Sequence, residues 1–446
     1  MGVQKLNWAP LAWRAIAFWV LGWAQCISEA QSVSNCSDSV LGQDLSLVNS
    51  EIQRAIDAAH WGKAYNLRAH RNPFIVVTPK AVLLYGRPSS EKRNASDAAS
   101  AFFDAFSGVQ PGKEWARCFA QSSDVRVPTA VVFEEPERLG LEPTGKARLY
   151  HFVYENSEDS PGKPKKLVNL AKALGPYLVV NVRDFSRKER LEAGRTLVHE
   201  GAHLFGQNAA LHGQPPSALL TRSSRGDVEE RMLESEYAKL VFREARYAAW
   251  ALRRILLGSL GIERDVPMTA CDNAPLSVDR GPTSARFFSK LELQRHFHFL
   301  YSCLARRNGG SLKSGESESR IGRNELFWYF VEGVPQYIED QYMLGGDTLT
   351  LSRDDAIAEV LTQFEPYCTS ANGQDIVKKN SGFHPLMLGS AFLHILEKIH
   401  GGREALEEKF GFDTQGLANW FDIGSSYQRL VLIGEPKSIN ELHTCQ

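Results

Sequence analysis

The stretch SRKERLEAGRTLVHEGAHLFGQ, residues 186–207, decides how this chain is read. Ser186, with Glu189 three residues on, makes a capping box, the device that satisfies backbone N–H groups left over at a helix start. Leu191, Val198, Ala202 and Phe205 then share one stripe of a 3.6-residue period, so the helix has a face to bury. His199 and His203 stand four residues apart on it, which stacks two imidazoles on one side at a separation suited to a single Zn2+. Glu200, beside the first imidazole, is placed to take a proton from a water that such an ion has acidified. Gly201 and Ala202 are small and leave the intervening turn unobstructed. The chain holds 12 His in 446 residues, and a chance HExxH in such a chain arises on the order of 2% of the time.

A zinc site of this kind needs a third protein ligand. The metzincin pattern HExxHxxGxxH is met at Gly206 and fails at its last position, Ala209. The short-spaced pattern, with a Glu about twenty residues after the second His, fails as well, because Arg222 and Ser223 occupy the positions reached. Two acidic residues further on remain open. Glu236 lies in DVEERMLESEYAKLVFREARYAAW, a long helical pattern in which Glu230 and Glu234 are near neighbours. Glu332 lies in NELFWYFVEGVPQYIED, an aromatic-rich helix expected to open at Asn324.

This second segment, with Gly333, Tyr337 and Glu339 after the acid, resembles the EGxAxYxE segment of gluzincin metallopeptidases. The resemblance implies Glu332 as the third zinc ligand, with Glu236 as the alternative. Pro335 departs from that family's small residue; it lacks an N–H and clashes with the carbonyl four residues back, so a kink just after the ligand is expected. The segment FHPLMLGSAFLHILEKIHGGREALEEKF, residues 383–410, resembles the gluzincin helix that follows. The Tyr that such a helix often offers to the developing oxyanion is missing, and His384 is the candidate substitute. His394 and His400 read as helix-face residues. The strand Tyr177 to Val182 resembles the edge strand on which these enzymes lay an extended peptide.

Around this core the chain is ordinary globular material. Its 51 Lys+Arg balance 52 Asp+Glu and 43% of residues are hydrophobic, which excludes disorder as the main state and offers no field for nucleic acid. FIVVT, AVLLYG, TAVVFEE, LYHFVYE and YLVVNV read as strands and residues 95–106 as a helix, an N-terminal α/β layer. From Ser186 onward nearly every periodic segment is helical, including 228–257, 285–305, 324–343 and 385–400. The expected fold is therefore α+β: an α/β layer with a mixed sheet on a mostly helical, zincin-like half. The expected divisions are a leader (1–30), the α/β layer (31–185), a zinc-binding helical region with an inserted lobe (186–345) and a helical subdomain (346–446).

In the leader, Lys5 and Arg14 precede an apolar run from Ala15 to Trp23 too short for a bilayer span, and Ser28 and Ala30 supply small residues for cleavage after Ala30. An uncleaved anchor, or lipidation at Cys26, is the competing reading. Cleavage implies a secreted or periplasmic protein with no membrane span, and it leaves Cys36, Cys118, Cys271, Cys303, Cys368 and Cys445, an even set suited to disulfides. The expected function is an exported zinc metallopeptidase acting on peptide or protein substrates, with His199, His203 and Glu332 as metal ligands, Glu200 as general base, His384 as oxyanion donor and Zn2+ as its only cofactor. The alternative is an inactive, peptidase-like secreted binding protein.

Overall fold

The computed structural model describes residues 41–61, 65–67, 73–86, 128–133, 150–153, 165–207, 234–258, 320–345, 352–364 and 384–410, with isolated positions between them. The leader, the Glu230 region and most of segments 95–106 and 285–305 lie outside the described residues, as do all the cysteines except Cys303. Cys303 is fully buried. The chain divides into two compact units, residues 1–53 with 71–190 and residues 54–70 with 191–446. The fold is α+β.

In chain order the elements are helix α1 (41–58), strands β1 (His60–Trp61), β2 (Tyr65–Asn66), β3 (Phe74–Val77), β4 (Val82–Tyr85), β5 (Ala130–Val132) and β6 (Tyr150–Val153), helix α2 (Lys165–Leu174), strand β7 (Tyr177–Asn181) and helix α3 (Arg187–Gly201). A π-helical turn (Ala202–Gln207), α4 (Ser235–Gly258), α5 (Arg320–Leu344), α6 (Arg353–Thr362), α7 (His384–His400) and α8 (Arg403–Phe410) follow.

The first unit holds a five-stranded mixed sheet in the order β5-β4-β3-β7-β6, in which β3 and β7 run parallel and every other pair is antiparallel. β3, β4 and β7 read as unbroken apolar runs rather than alternating ones, and all their residues are buried, as a sheet covered on both faces requires. On one face Ile75, Val77, Leu84, Val132 and Val179 pack with Leu167, Leu170 and Leu174 of α2. On the other, Phe74 stacks on Tyr85 with ring centroids 4.8 Å apart, and the Tyr85 hydroxyl donates to Asn49 Oδ1 of α1 at 3.0 Å. Gly175, at φ 85°, closes α2 in the left-handed conformation that a Cβ would oppose, and the chain turns directly into β7. The expectation that this strand is an edge is corrected: β7 lies between β3 and β6, and the edges of this sheet among the described strands are β5 and β6.

Beyond β7 the chain enters α3. Its cap is half of the expected box. Ser186 Oγ accepts from Glu189 N–H at 3.3 Å, but Ser186 N–H turns to Asp184 Oδ1 at 2.7 Å. The Glu189 carboxylate pairs instead with Arg183, whose Nε donates to it at 2.8 Å. An arginine two positions after β7 offers a charged, bidentate partner, and that outcompetes a single backbone donor.

The second unit is helical. α5 packs along α7, α7 also meets α4 and α8, and the π-turn packs against α5 and β2. α5 opens at Arg320, four residues before the expected start at Asn324, and is continuous through Pro335. The α5–α7 crossing is set by two glycines. A Cβ on Gly333 would lie 2.4 Å from Gly389 Cα, and one on Gly389 would lie 2.3 Å from the Tyr329 carbonyl oxygen, so the two backbones touch where no side chain fits.

A buried polar cluster holds the same two helices in register. Asp340 accepts from Ser390 Oγ at 2.5 Å, from His394 Nε2 at 3.2 Å and from Gln336 Nε2 at 3.0 Å. Tyr337 and Gln341 donate to Glu397 at 2.8 and 3.1 Å. His394 is therefore not the helix-face residue that its spacing suggested; it is 1% exposed and sits where a carboxylate on the facing helix satisfies it.

Candidate metal centre

HExxH begins on α3 and ends in the π-turn. Leu191, Val198, Ala202 and Phe205 are all buried, as the apolar stripe required. The helix widens at Ala202, so that His203 is carried by a π-turn rather than by regular α-helix. Such wide turns recur at functional sites, because the extra residue per turn re-aims side chains. The two imidazole centroids end 5.1 Å apart at 67° to each other.

Both rings face Glu332 on α5. Its Oε2 lies 3.5 Å from His203 Nε2 and 4.0 Å from His199 Nε2. One ligand atom from each of the three residues falls within 4.8 Å of the other two. A tetrahedral Zn2+ with ligands at about 2.0–2.1 Å separates its donors by roughly 3.3–3.5 Å, so a small contraction around an ion brings this triad to coordination. The side chains of His203 and Glu332 are 15% and 23% exposed, which leaves the cluster open to solvent on one side. An open position is what separates a catalytic from a sealed structural site.

The ring nitrogens that face away from Glu332 are each held. His199 Nδ1 donates to Glu339 Oε2 at 3.1 Å. Glu339 also receives Arg195 Nε at 2.7 Å, and Arg195 reaches Glu359 at 2.8 Å. His203 Nδ1 donates to Gln207 Oε1 at 2.8 Å, and Gln207 Nε2 donates to the Val331 carbonyl at 2.9 Å. With both Nδ1 atoms held as donors, Nε2 is the ring atom that each histidine turns toward Glu332 and leaves for a metal, the arrangement that metal-ligating histidines take.

The electrostatics follow from burial opposed by carboxylates. Desolvation disfavours a charged His199, but the Glu339 hydrogen bond and the charges of Glu200, Glu339 and Glu332 overcome it and raise its pKa to about 9. Burial would likewise neutralise Glu339, yet Arg195 and His199 hold its pKa below the ordinary carboxylate value. A folded-state pKa raised above 6.5 adds stability in full below about pH 6.5, and that stability is lost as the pH rises through about 9. Metal-free protein is therefore expected to lose up to about 3 kcal/mol between pH 6 and pH 10 through this group. Urea midpoints of wild type and His199→Gln, followed over that range, measure it. A difference between the two that stays constant with pH would contradict the assignment.

Of the residues expected from sequence, His199, His203 and Glu332 are brought together. Glu200 is buried next to His199, and its charge is felt by that ring. The backbones of Glu236, in the first turn of α4, and of His384, first residue of α7, are placed; their side chains lie outside what the structure describes. Sequence reasoning assigned no role to Gln207, Arg195 or Glu339 as holders of the rings. The signals were present: Gln207 follows His203 by four residues, one helical turn, and Glu339 follows Glu332 by seven, two turns on the same face. No family model, curated protein or solved structure matches the chain. No helix among the described residues is long and apolar enough to cross a membrane.

Proposed function

We propose that the chain is an exported zinc-dependent metallopeptidase, with His199, His203 and Glu332 as the metal ligands and Glu200 as the general base. One observation carries the reading: two Nε2 atoms, each aimed by an acceptor behind its ring, converge on one carboxylate in a solvent-accessible cluster. The donor set of two imidazoles and a carboxylate suits Zn2+ and leaves a fourth position for the reaction. When bound, Zn2+ supplies a Lewis acid that polarises the scissile carbonyl and makes water more acidic.

The chain's own residues do the rest. Glu200 takes a proton from the attacking water and returns it to the leaving amine. Glu339 and Gln207 keep the two rings aimed, and Arg195 keeps Glu339 ionised. In this reading His384, at the N-terminal end of α7, donates to the developing oxyanion. Export rests on the leader, with its basic start, short apolar run and Ala30 cleavage site.

The test is hydrolysis of a mixed peptide library by the mature protein. Cleavage is expected to stop with a chelator and to return with Zn2+ but not with Mg2+. A library left intact by zinc-loaded protein would sink the peptidase reading and favour the secreted binding protein. Zinc-dependent cleavage of a simple acyl amide alongside peptides would extend the substrate to non-peptide bonds.

A further inference from the structure

The gluzincin-like pattern breaks at Pro335, inside α5 three residues after Glu332. In an α-helix the N–H of residue 335 would bond the carbonyl of residue 331, and proline has no N–H to give. The Val331 carbonyl is the acceptor that Gln207 Nε2 reaches at 2.9 Å. Gln207 is 1% exposed, and a buried amide must satisfy both of its ends.

We infer that Pro335 and Gln207 form a positioning device for His203, an inference that rests on the proposed zinc site for what the ring is aimed at. The logic is one of donors and acceptors. A carbonyl can only accept, so the amide nitrogen of Gln207 must face Val331. Its oxygen then must face His203, and an amide oxygen can only accept, so His203 Nδ1 must carry the proton. That leaves Nε2 with its lone pair toward Glu332, 3.5 Å away. Had residue 335 an N–H, the helix would satisfy Val331 by itself. The Gln207 amide would then share a carbonyl already bonded by the helix, so turning over to offer His203 a donor instead of an acceptor would no longer leave that buried carbonyl unpaired. The proline thus couples the helix that carries Glu332 to the tautomer of the ligand on the facing turn. Pro335 and Gln207 touch no reacting atom; both act through His203.

The experiment uses the full mature chain as Pro335→Ala, Gln207→Ala and the double variant. Zinc affinity is read by competition with a chelating dye, thermal midpoint on metal-free protein, and the His203 tautomer from its imidazole nitrogen shifts with the ring unprotonated. Gln207→Ala is expected to weaken zinc binding by about 10–100-fold, the usual effect of losing a group that orients a metal-bound histidine. Pro335→Ala is expected to move two readouts in opposite directions. Its thermal midpoint rises, because the helix regains a hydrogen bond, while zinc affinity falls by on the order of tenfold and His203 becomes a mixture of tautomers. A proline that matters only to helix stability would move both readouts together. In the double variant zinc affinity is expected to equal that of Gln207→Ala alone, since Pro335 acts through Gln207.

Zinc affinity and tautomer within twofold of wild type in Pro335→Ala would overturn the inference, as would losses in the two single variants that add in the double. If Gln207→Ala fails to fold, Pro335→Ala decides. If wild-type protein binds no zinc, it is the proposed function that fails, and the tautomer of His203 in metal-free Pro335→Ala still decides this inference.

Discussion

A Glu200→Gln protein is expected to keep its zinc and to lose about 10²- to 10⁴-fold in kcat, the range that removal of a general base costs. Gln fills the same volume and leaves His199, His203 and Glu332 untouched, so metal content measured on the same preparation should match wild type. The companion variant behaves in the opposite way. Glu332→Ala removes a converging ligand and is expected to weaken zinc binding by more than the ~10–100-fold that loss of an outer hydrogen-bond partner costs; activity falls with occupancy and is partly recovered by excess metal. Glu236→Ala is expected to bind zinc as wild type does. Full activity in zinc-loaded Glu200→Gln would sink the proposed base. Zinc loss in Glu236→Ala with retention in Glu332→Ala would reassign the third ligand.

The second large effect concerns packing. Gly389→Ala would place a methyl group 2.3 Å from the Tyr329 carbonyl oxygen and 2.6 Å from Gly333 Cα. Both neighbours are backbone atoms, so no rotamer change relieves the clash. α5 and α7 must separate by roughly 1 Å to restore ordinary contact. Overpacking in a fitted core costs about 1–3 kcal/mol where side chains can give; here the cost is expected to reach about 3 kcal/mol or more, a large part of a domain's stability. The crossing also anchors Glu332, the residue beside Gly333, so zinc affinity should fall along with the urea midpoint. Gly333→Ala is expected to behave alike, because its Cβ would meet Gly389 Cα at 2.4 Å. A Gly389→Ala protein with an unchanged midpoint would show that the helices do not cross at these glycines.

The strand reading stands at FIVV, VLLY, AVV, YHFV and YLVVN because those runs have no helical period and lie between turn residues. Their order did not follow from pattern. Whether YLVVN is an edge depends on β6, a strand twenty-four residues upstream that pairs outside it, and no local feature of YLVVN reports that partner. The capping box was half right for a related reason: Glu189 had a second suitor in Arg183, and the choice between them is made by distance in space. His394 looked like a helix-face residue because its own helix offers no ligand partner. Its partner, Asp340, is supplied by the facing helix.

The residues 186–207 placed, without any fold, two imidazoles and a carboxylate within one turn of a helix, because the helical repeat is a property of the backbone itself; that the turn carrying His203 is a wide π-turn was not legible there. Sequence likewise narrowed the third ligand to a short list of acids. Tertiary structure decided what spacing along the chain cannot. It brought Glu332 to the two rings across 128 intervening residues, held each ring from behind with Glu339 and Gln207, and gave the carbonyl left by Pro335 a partner on another element. Those outcomes depend on which surfaces pack together, and packing is settled by contacts between distant segments rather than by any one of them.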